Sequence, residues 1–101
     1  MTVAERNRNS CSRVDRETLM IRVRQGWLIP GLVSDTQFWL LVRASSMRSD
    51  KMVNALSDHL VSGLSRKDAC LRHDVNSGHF SIGLSRLQEL SHTAAKLAVF
   101  Y

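Results

Sequence analysis

A chain of 101 residues can build one hydrophobic core and is too short for two. Hydrophobic residues make up 44% and charged residues 23%, the balance of a folded globular domain, which excludes a wholly disordered chain. The longest apolar runs, Phe38–Val42 and Leu97–Tyr101, are too short for a bilayer-spanning helix, and no apolar stretch follows the first basic residues as a secretory signal requires.

The charge is the unusual quantity. Lys plus Arg is 14 against 9 for Asp plus Glu, a net +5, and all the bases are Arg except Lys51, Lys67 and Lys96. Arg carries a planar fork that pairs phosphates bidentately, so a small Arg-rich chain points to a polyanion such as nucleic acid. The competing reading is a basic surface that only keeps the chain soluble. Two cysteines, Cys11 and Cys70, are too few for a disulfide framework, and a reducing cytoplasm is the expected compartment.

Residues 1–25 read as a basic arm. Arg6, Arg8, Arg13, Arg16, Arg22 and Arg24 outweigh Glu5, Asp15 and Glu17 there, so the arm holds +3 of the total. Apolar residues are sparse before Leu19, which predicts a flexible 1–17 and a short helix or strand over 18–25. Such an arm can add phosphate contacts or be a plain solvated tail.

Residues 26–101 read as the folded domain. Trp27, Leu28 and Ile29 form an apolar extended segment that packs on the core, and Pro30-Gly31 marks a turn. Ser34 and Gln37 match a capping box opening a helix whose inner stripe is Phe38, Leu41 and Val42, widened by Trp39 and Leu40. That helix ends near Ala44–Ser46. Ser49 caps the next helix, Asp50 suits its first turn, and Met52, Val53, Leu56 and Leu60 line one face before Gly63 ends it. These apolar residues are expected to be core.

Ser65 to Leu87 is the informative stretch. Ser65 and Asp68 cap a short helix that Asp74–Ser77 interrupts, and Asn76 or Ser77 caps a longer one. On the longer helix Phe80, Leu84, Leu87, Leu90 or Ser91, Ala94 and Leu97 share a side. These spacings fit a helix-turn-helix. Cys70 is the small residue where two helices cross, with Ala69 beside it. Asp74 takes the position that needs positive φ and usually holds Gly. Val75 plugs the turn, and Phe80 anchors the second helix. The fold expected is all-α: a small domain of about four or five helices containing a helix-turn-helix.

The second helix then shows Ser77, Gly78, His79, Ser81, Ile82, Ser85 and Arg86 outward. Candidate DNA-contacting residues are Arg66 and Lys67 beside the first cap, Asn76 and Ser77 at the second helix N-terminus, and His79, Ser81 and Arg86 along it. The helix is poor in the Arg, Asn and Gln forks that read bases, so charge and DNA shape are expected to count for more than base readout.

Several motifs occur together in order. G-W-L-I-P-G-L-V-S-D-T-Q-F-W-L-L spans 26–41, M-R-S-D-K 47–51, D-H-L-V-S-G-L-S-R-K-D-A-C 58–70, G-H-F-S-x-x-L-x-R-L 78–87 and A-A-K-L-A-V-F-Y 94–101. Over residues 26–101 the chain resembles the PapB/FocB-type regulators of fimbrial and adhesin operons. The resemblance implies a bacterial transcription regulator tied to virulence adhesins, cytoplasmic and nucleoid-associated. It implies binding to A/T-rich double-stranded DNA, with minor-groove contact, as a homo-oligomer of dimer or higher order. It also implies a DNA-binding role for Arg66, the Arg of the S-R-K motif.

Two other classes compete with this reading. A protein-interaction module could use Trp27, Trp39, Phe100 and Tyr101 as a dimer face, and the modest +2 on residues 26–101 suits it. The C-terminal apolar end is expected to pack on the core and to serve oligomerisation. Enzyme or metal chemistry would need more than Cys70 and His73 at i, i+3 with the scattered His59, His79 and His92. Neither a Ser-His-acid pattern nor a Gly-rich phosphate loop is present. No catalytic residue, metal, cofactor or membrane association is expected.

Overall fold

The computed structural model describes residues 16–101. The segment 1–15, which holds most of the basic arm, lies outside the described residues. Of the two forms the sequence allows for 18–25, the chain adopts the helix, α1, helical over 16–24. Four further helices follow, α2 (Asp35–Ser45), α3 (Asp50–Leu60), α4 (Arg66–His73) and α5 (Ser77–Leu97), then a single 3-10 turn, Ala98–Phe100. The all-α class is as expected, and among the described residues no helix is long and apolar enough to cross a membrane.

Each of the four C-terminal helices starts where a polar side chain can satisfy an orphan backbone N–H. Ser34 Oγ accepts from the Gln37 N–H, Ser49 Oγ from Met52 and Ser65 Oγ from Asp68. Asn76 Oδ1 accepts from both Gly78 and His79. Among the described residues the return bond from Gln37 is not made, so Ser34 acts as a simple cap. The α2 helix stops at Ser46, which takes a left-handed φ of 59°. The α3 helix ends at Leu60, ahead of Gly63, because the Leu60 carbonyl is taken by the Gly31 N–H at 2.8 Å and the Val33 N–H at 3.3 Å.

The core forms where α2, α3, α4 and α5 meet, with Phe38, Leu56, Leu60, Phe80 and Leu87 its largest fully buried side chains. Leu28 is buried with them, as the extended segment requires, and Gln88 bonds its backbone from both sides: the Leu28 N–H donates to Oε1 at 2.9 Å and Nε2 donates to the Leu28 carbonyl at 3.1 Å. Trp27 is half-exposed and sets its ring edge-to-face on His92 at 4.5 Å. Gly83, with no side chain of its own, lets α5 approach Met52 and Leu56 of α3.

Three expectations about the core are corrected. Trp39 and Leu40 do not widen the inner stripe of α2; they are 46% and 59% exposed, and the Trp39 indole N–H bonds Asp35 at 3.2 Å. Ala94 and Leu97 carry the right spacing, yet α5 outruns the core and both are exposed. The C-terminal end does not pack on the core: Val99 and Phe100 are about four-fifths exposed and Tyr101 is fully exposed. Helical period selects a side of a helix, but a neighbouring element must be present to bury it.

Candidate nucleic-acid interface

The α4–turn–α5 unit has the geometry its sequence demands. Asp74 adopts φ 54° and ψ 51°, the left-handed conformation a glycine would hold more easily. The Val75 N–H donates to the Cys70 carbonyl at 2.9 Å and the Asp74 N–H to Leu71 at 3.4 Å, the Schellman closure of a helix end. Cys70 and Ala69 are buried at the crossing, Val75 packs on the core rim, and Phe80 is fully buried. The unit is braced from α3: the His73 Nε2–H donates to Asp58 Oδ2 at 2.6 Å, and Arg72 approaches the same carboxylate at 3.7 Å. That carboxylate occupies Arg72. His59, also on α3, is buried, donates from Nδ1 to the Leu64 carbonyl at 2.7 Å and lies edge-on to Phe80.

Arg66 occupies the join of the two helices. Its guanidinium lies over the Phe80 ring, 5.7 Å from the centroid, and Nη2 donates to Ser81 Oγ. One face of the fork is thereby held on an apolar platform, while the residue as a whole stays exposed. Lys67 stands beside it, and both line a cavity of about 430 Å³ together with Cys70, Leu71, Asp74, Val75, Ser77 and Phe80.

The remaining candidates fall elsewhere on α5. Asn76 turns its side-chain oxygen inward on the cap, which engages the Gly78 and His79 N–H groups as well. Ser81 is half-buried and holds Arg66. His79 and Arg86 are exposed and border a second depression of about 350 Å³ with Ile82, Gly83 and, from the α2–α3 turn, Arg48. Thus Arg66, Lys67, Ser77 and Ser81 gather at one flank of α5, and His79 and Arg86 lie on the other. The sequence marks Arg48 only as part of the M-R-S-D-K motif, because it is remote along the chain from α5 and precedes a cap. Among the described residues no group of three or more His, Cys, Asp or Glu side chains is placed to hold a metal ion.

A short helix, a tight turn and a longer helix, with Arg66 and Lys67 at the join, have the arrangement of a helix-turn-helix. The PapB family model, adhesin biosynthesis transcription regulatory protein, matches residues 6–101, and the chain belongs to that family. It is 48% identical over 77 residues to the AFA-III adhesin operon regulatory protein of Escherichia coli, covering 76% of each chain. It is 42% identical over 82 residues to the E. coli major pilus subunit operon regulatory protein PapB, covering 81% of this chain and 79% of that one. The crystal structure of E. coli FocB superposes with a TM-score of 0.71 at 41% identity, covering 84% of this chain and 97% of that one. Transcriptional regulation in adhesin biosynthesis is therefore the class of activity to which this chain belongs.

Proposed function

We propose that this protein regulates a fimbrial or adhesin operon by binding A/T-rich double-stranded DNA, with Arg66 reaching the minor groove, as a homo-oligomer in the cytoplasm at the nucleoid. The observation that carries the reading is the setting of Arg66, a guanidinium placed over the Phe80 ring, bonded to Ser81 and still exposed at the helix-turn-helix join. A pre-oriented Arg enters a narrow A/T groove by charge and shape, without base-reading forks. Lys67, Ser77 and the Asn76 amide add backbone contacts on the same flank, and His79 and Arg86 extend the footprint along α5. The DNA-contacting elements lie within 26–101, and the basic arm of 1–25 adds long-range attraction.

Self-association is supported by two apolar features that no described residue of the same copy covers. Residues 99–101 are exposed, and a groove walled by Val23, Leu40, Leu41, Leu90, Ala94 and Leu97 opens between α1, α2 and α5. The C-terminal residues of a second copy are its occupant in this reading. Two exchanged tails remove about 600–1,000 Å² from water through Phe100 and Tyr101 alone. With the groove walls they cover, the total approaches the roughly 1,200–2,000 Å² of a stable interface. Linking several weakly bound protomers along repeated sites multiplies affinity.

The test is a gel-shift titration of the full chain on A/T-rich and G/C-rich duplexes, with a minor-groove drug as competitor. Preference for the A/T duplex, loss of binding to the drug, and strong weakening in Arg66→Ala with unchanged melting are expected. Normal binding by Arg66→Ala would remove the role given to Arg66. The same exposed tail also suits a protein-interaction module acting without DNA; a flat response of affinity to salt would favour it.

A further inference from the structure

The outer face of α5 is bordered by guanidinium groups from two different elements. At the Ser81 edge stands Arg66, from α4. At the His79–Arg86 edge stands Arg48, from the turn between α2 and α3. That turn is fixed: Ser46 is left-handed, Ser45 Oγ–H donates to the Val42 carbonyl at 2.7 Å, and the Met47 N–H donates to Ser45 Oγ at 3.2 Å. The backbone that presents Arg48 is therefore set before any partner arrives.

The chemistry of the depression is one-sided. Arg48, His79 and Arg86 border it together with small and apolar residues, and no carboxylate lines it. Among the described residues neither Arg48 nor Arg86 has an Asp or Glu partner within ion-pair distance, in contrast to Arg72, which Asp58 holds. Arg86 also edges the neighbouring hollow with Ser81, Ile82, Ser85 and Glu89, so it joins the Arg48 side to the middle of the helix face, and the one carboxylate nearby, Glu89, lines that hollow and not the one Arg48 borders. Two unpaired forks around a pocket of about 350 Å³ suit a tetrahedral, doubly coordinated anion such as a phosphodiester.

We infer that Arg48 is a DNA-backbone contact, binding a phosphodiester together with Arg86 on the flank of α5 away from Arg66. This rests on the DNA-binding reading above and adds to it a second anchoring point. A helix bracketed by cations on both flanks is held in register against two phosphate rows. Arg48 acts on affinity and orientation and is indifferent to sequence, because phosphates carry no base identity.

The experiment is fluorescence anisotropy of the full chain on labelled A/T-rich and G/C-rich duplexes over a series of salt concentrations. For Arg48→Ala the expected results are about tenfold weaker binding near 0.1 M salt on both duplexes and a slope of log affinity against log salt shallower by about one. Arg48→Lys restores the slope, since the charge returns. Melting of Arg48→Ala shifts by no more than about 4 °C, because the side chain is exposed. Wild-type affinity and slope in Arg48→Ala, with wild-type binding intact, would overturn the inference and leave the DNA reading standing. A loss confined to the A/T duplex would also overturn it, assigning Arg48 to groove reading. Absence of DNA binding by the wild-type chain would overturn the DNA reading itself and this inference with it.

Discussion

Gly26→Ala is the substitution whose cost the structure specifies most sharply. Gly26 has φ +90°, and a Cβ built there would stand 2.5 Å from the Ser91 carbonyl oxygen, 2.8 Å from the Ser91 carbonyl carbon and 2.9 Å from the His92 Cα. All three atoms are backbone in α5, so no rotamer change can make room. The left-handed conformation alone costs an L-residue about 1–2 kcal/mol. The clash then lifts the chain off α5. That motion strains the bond from His92 Nδ1–H to the Gln25 carbonyl, 2.8 Å long, and the edge-to-face contact of Trp27 on His92. Each of those is worth about 0.5–1.5 kcal/mol. A loss of about 3 kcal/mol follows, which lowers the melting temperature of a domain this size by about 12–24 °C. Gly31→Ala is the control. Its φ is +80°, but the nearest atom, Gly63 Cα, is 3.4 Å away, so only the conformational cost applies. Urea unfolding of both variants, followed by far-UV circular dichroism, separates the terms. Equal losses in the two would refute the argument from close approach, and no loss in Gly26→Ala would refute the conformational argument as well.

Asp74→Gly should raise stability by up to about 1 kcal/mol, since glycine holds the left-handed turn without strain and the Lys51–Asp74 pair, 3.9 Å apart at the surface, adds little. A lower urea midpoint for that variant would contradict the reading of the turn. Phe80→Ala removes a fully buried anchor and should cost about 3–5 kcal/mol in the same assay. Ser81→Ala should leave stability within about 0.5 kcal/mol but weaken binding to A/T-rich DNA, because Arg66 loses its tether; unchanged affinity in the anisotropy assay would show that Phe80 alone positions Arg66. Phe100→Glu should lower the association order seen in sedimentation equilibrium while leaving monomer melting almost unchanged; an unaltered association order would exclude the tail from the interface.

Much of the site was legible because local rules act over a few residues. Ser34, Ser49, Ser65 and Asn76 start helices through their own side chains, and each does so in the structure. The need for a small residue at 70, a left-handed residue at 74, a plug at 75 and an anchor at 80 is also written within one short span. Arg66 was identifiable as a basic residue beside a cap. Its perch on Phe80 and Ser81 was not, because those partners lie on the next helix and meet it only after the turn has closed. The bond from Arg66 to Ser81 was not legible for the same reason.

By itself the sequence determined the helical class, the cap positions, the α4–turn–α5 unit and the excess of positive charge, since period, caps and charge are properties of neighbours along the chain. The tertiary structure alone decided where burial stops and which charges remain free. Leu40, Leu97 and Phe100 are as apolar as Leu28 or Phe38, yet among the described residues no element packs over them and they stay exposed. Arg72 and Arg48 look alike in the sequence, yet α3 sets Asp58 against the first, and among the described residues no carboxylate pairs with the second. The net +5 is a sum over the chain. Among the described residues packing pairs some of the bases and leaves Arg48, Arg66 and Arg86 without an ion-pair partner beside one helix, because only folding decides which opposite charges come within a few ångströms of each base.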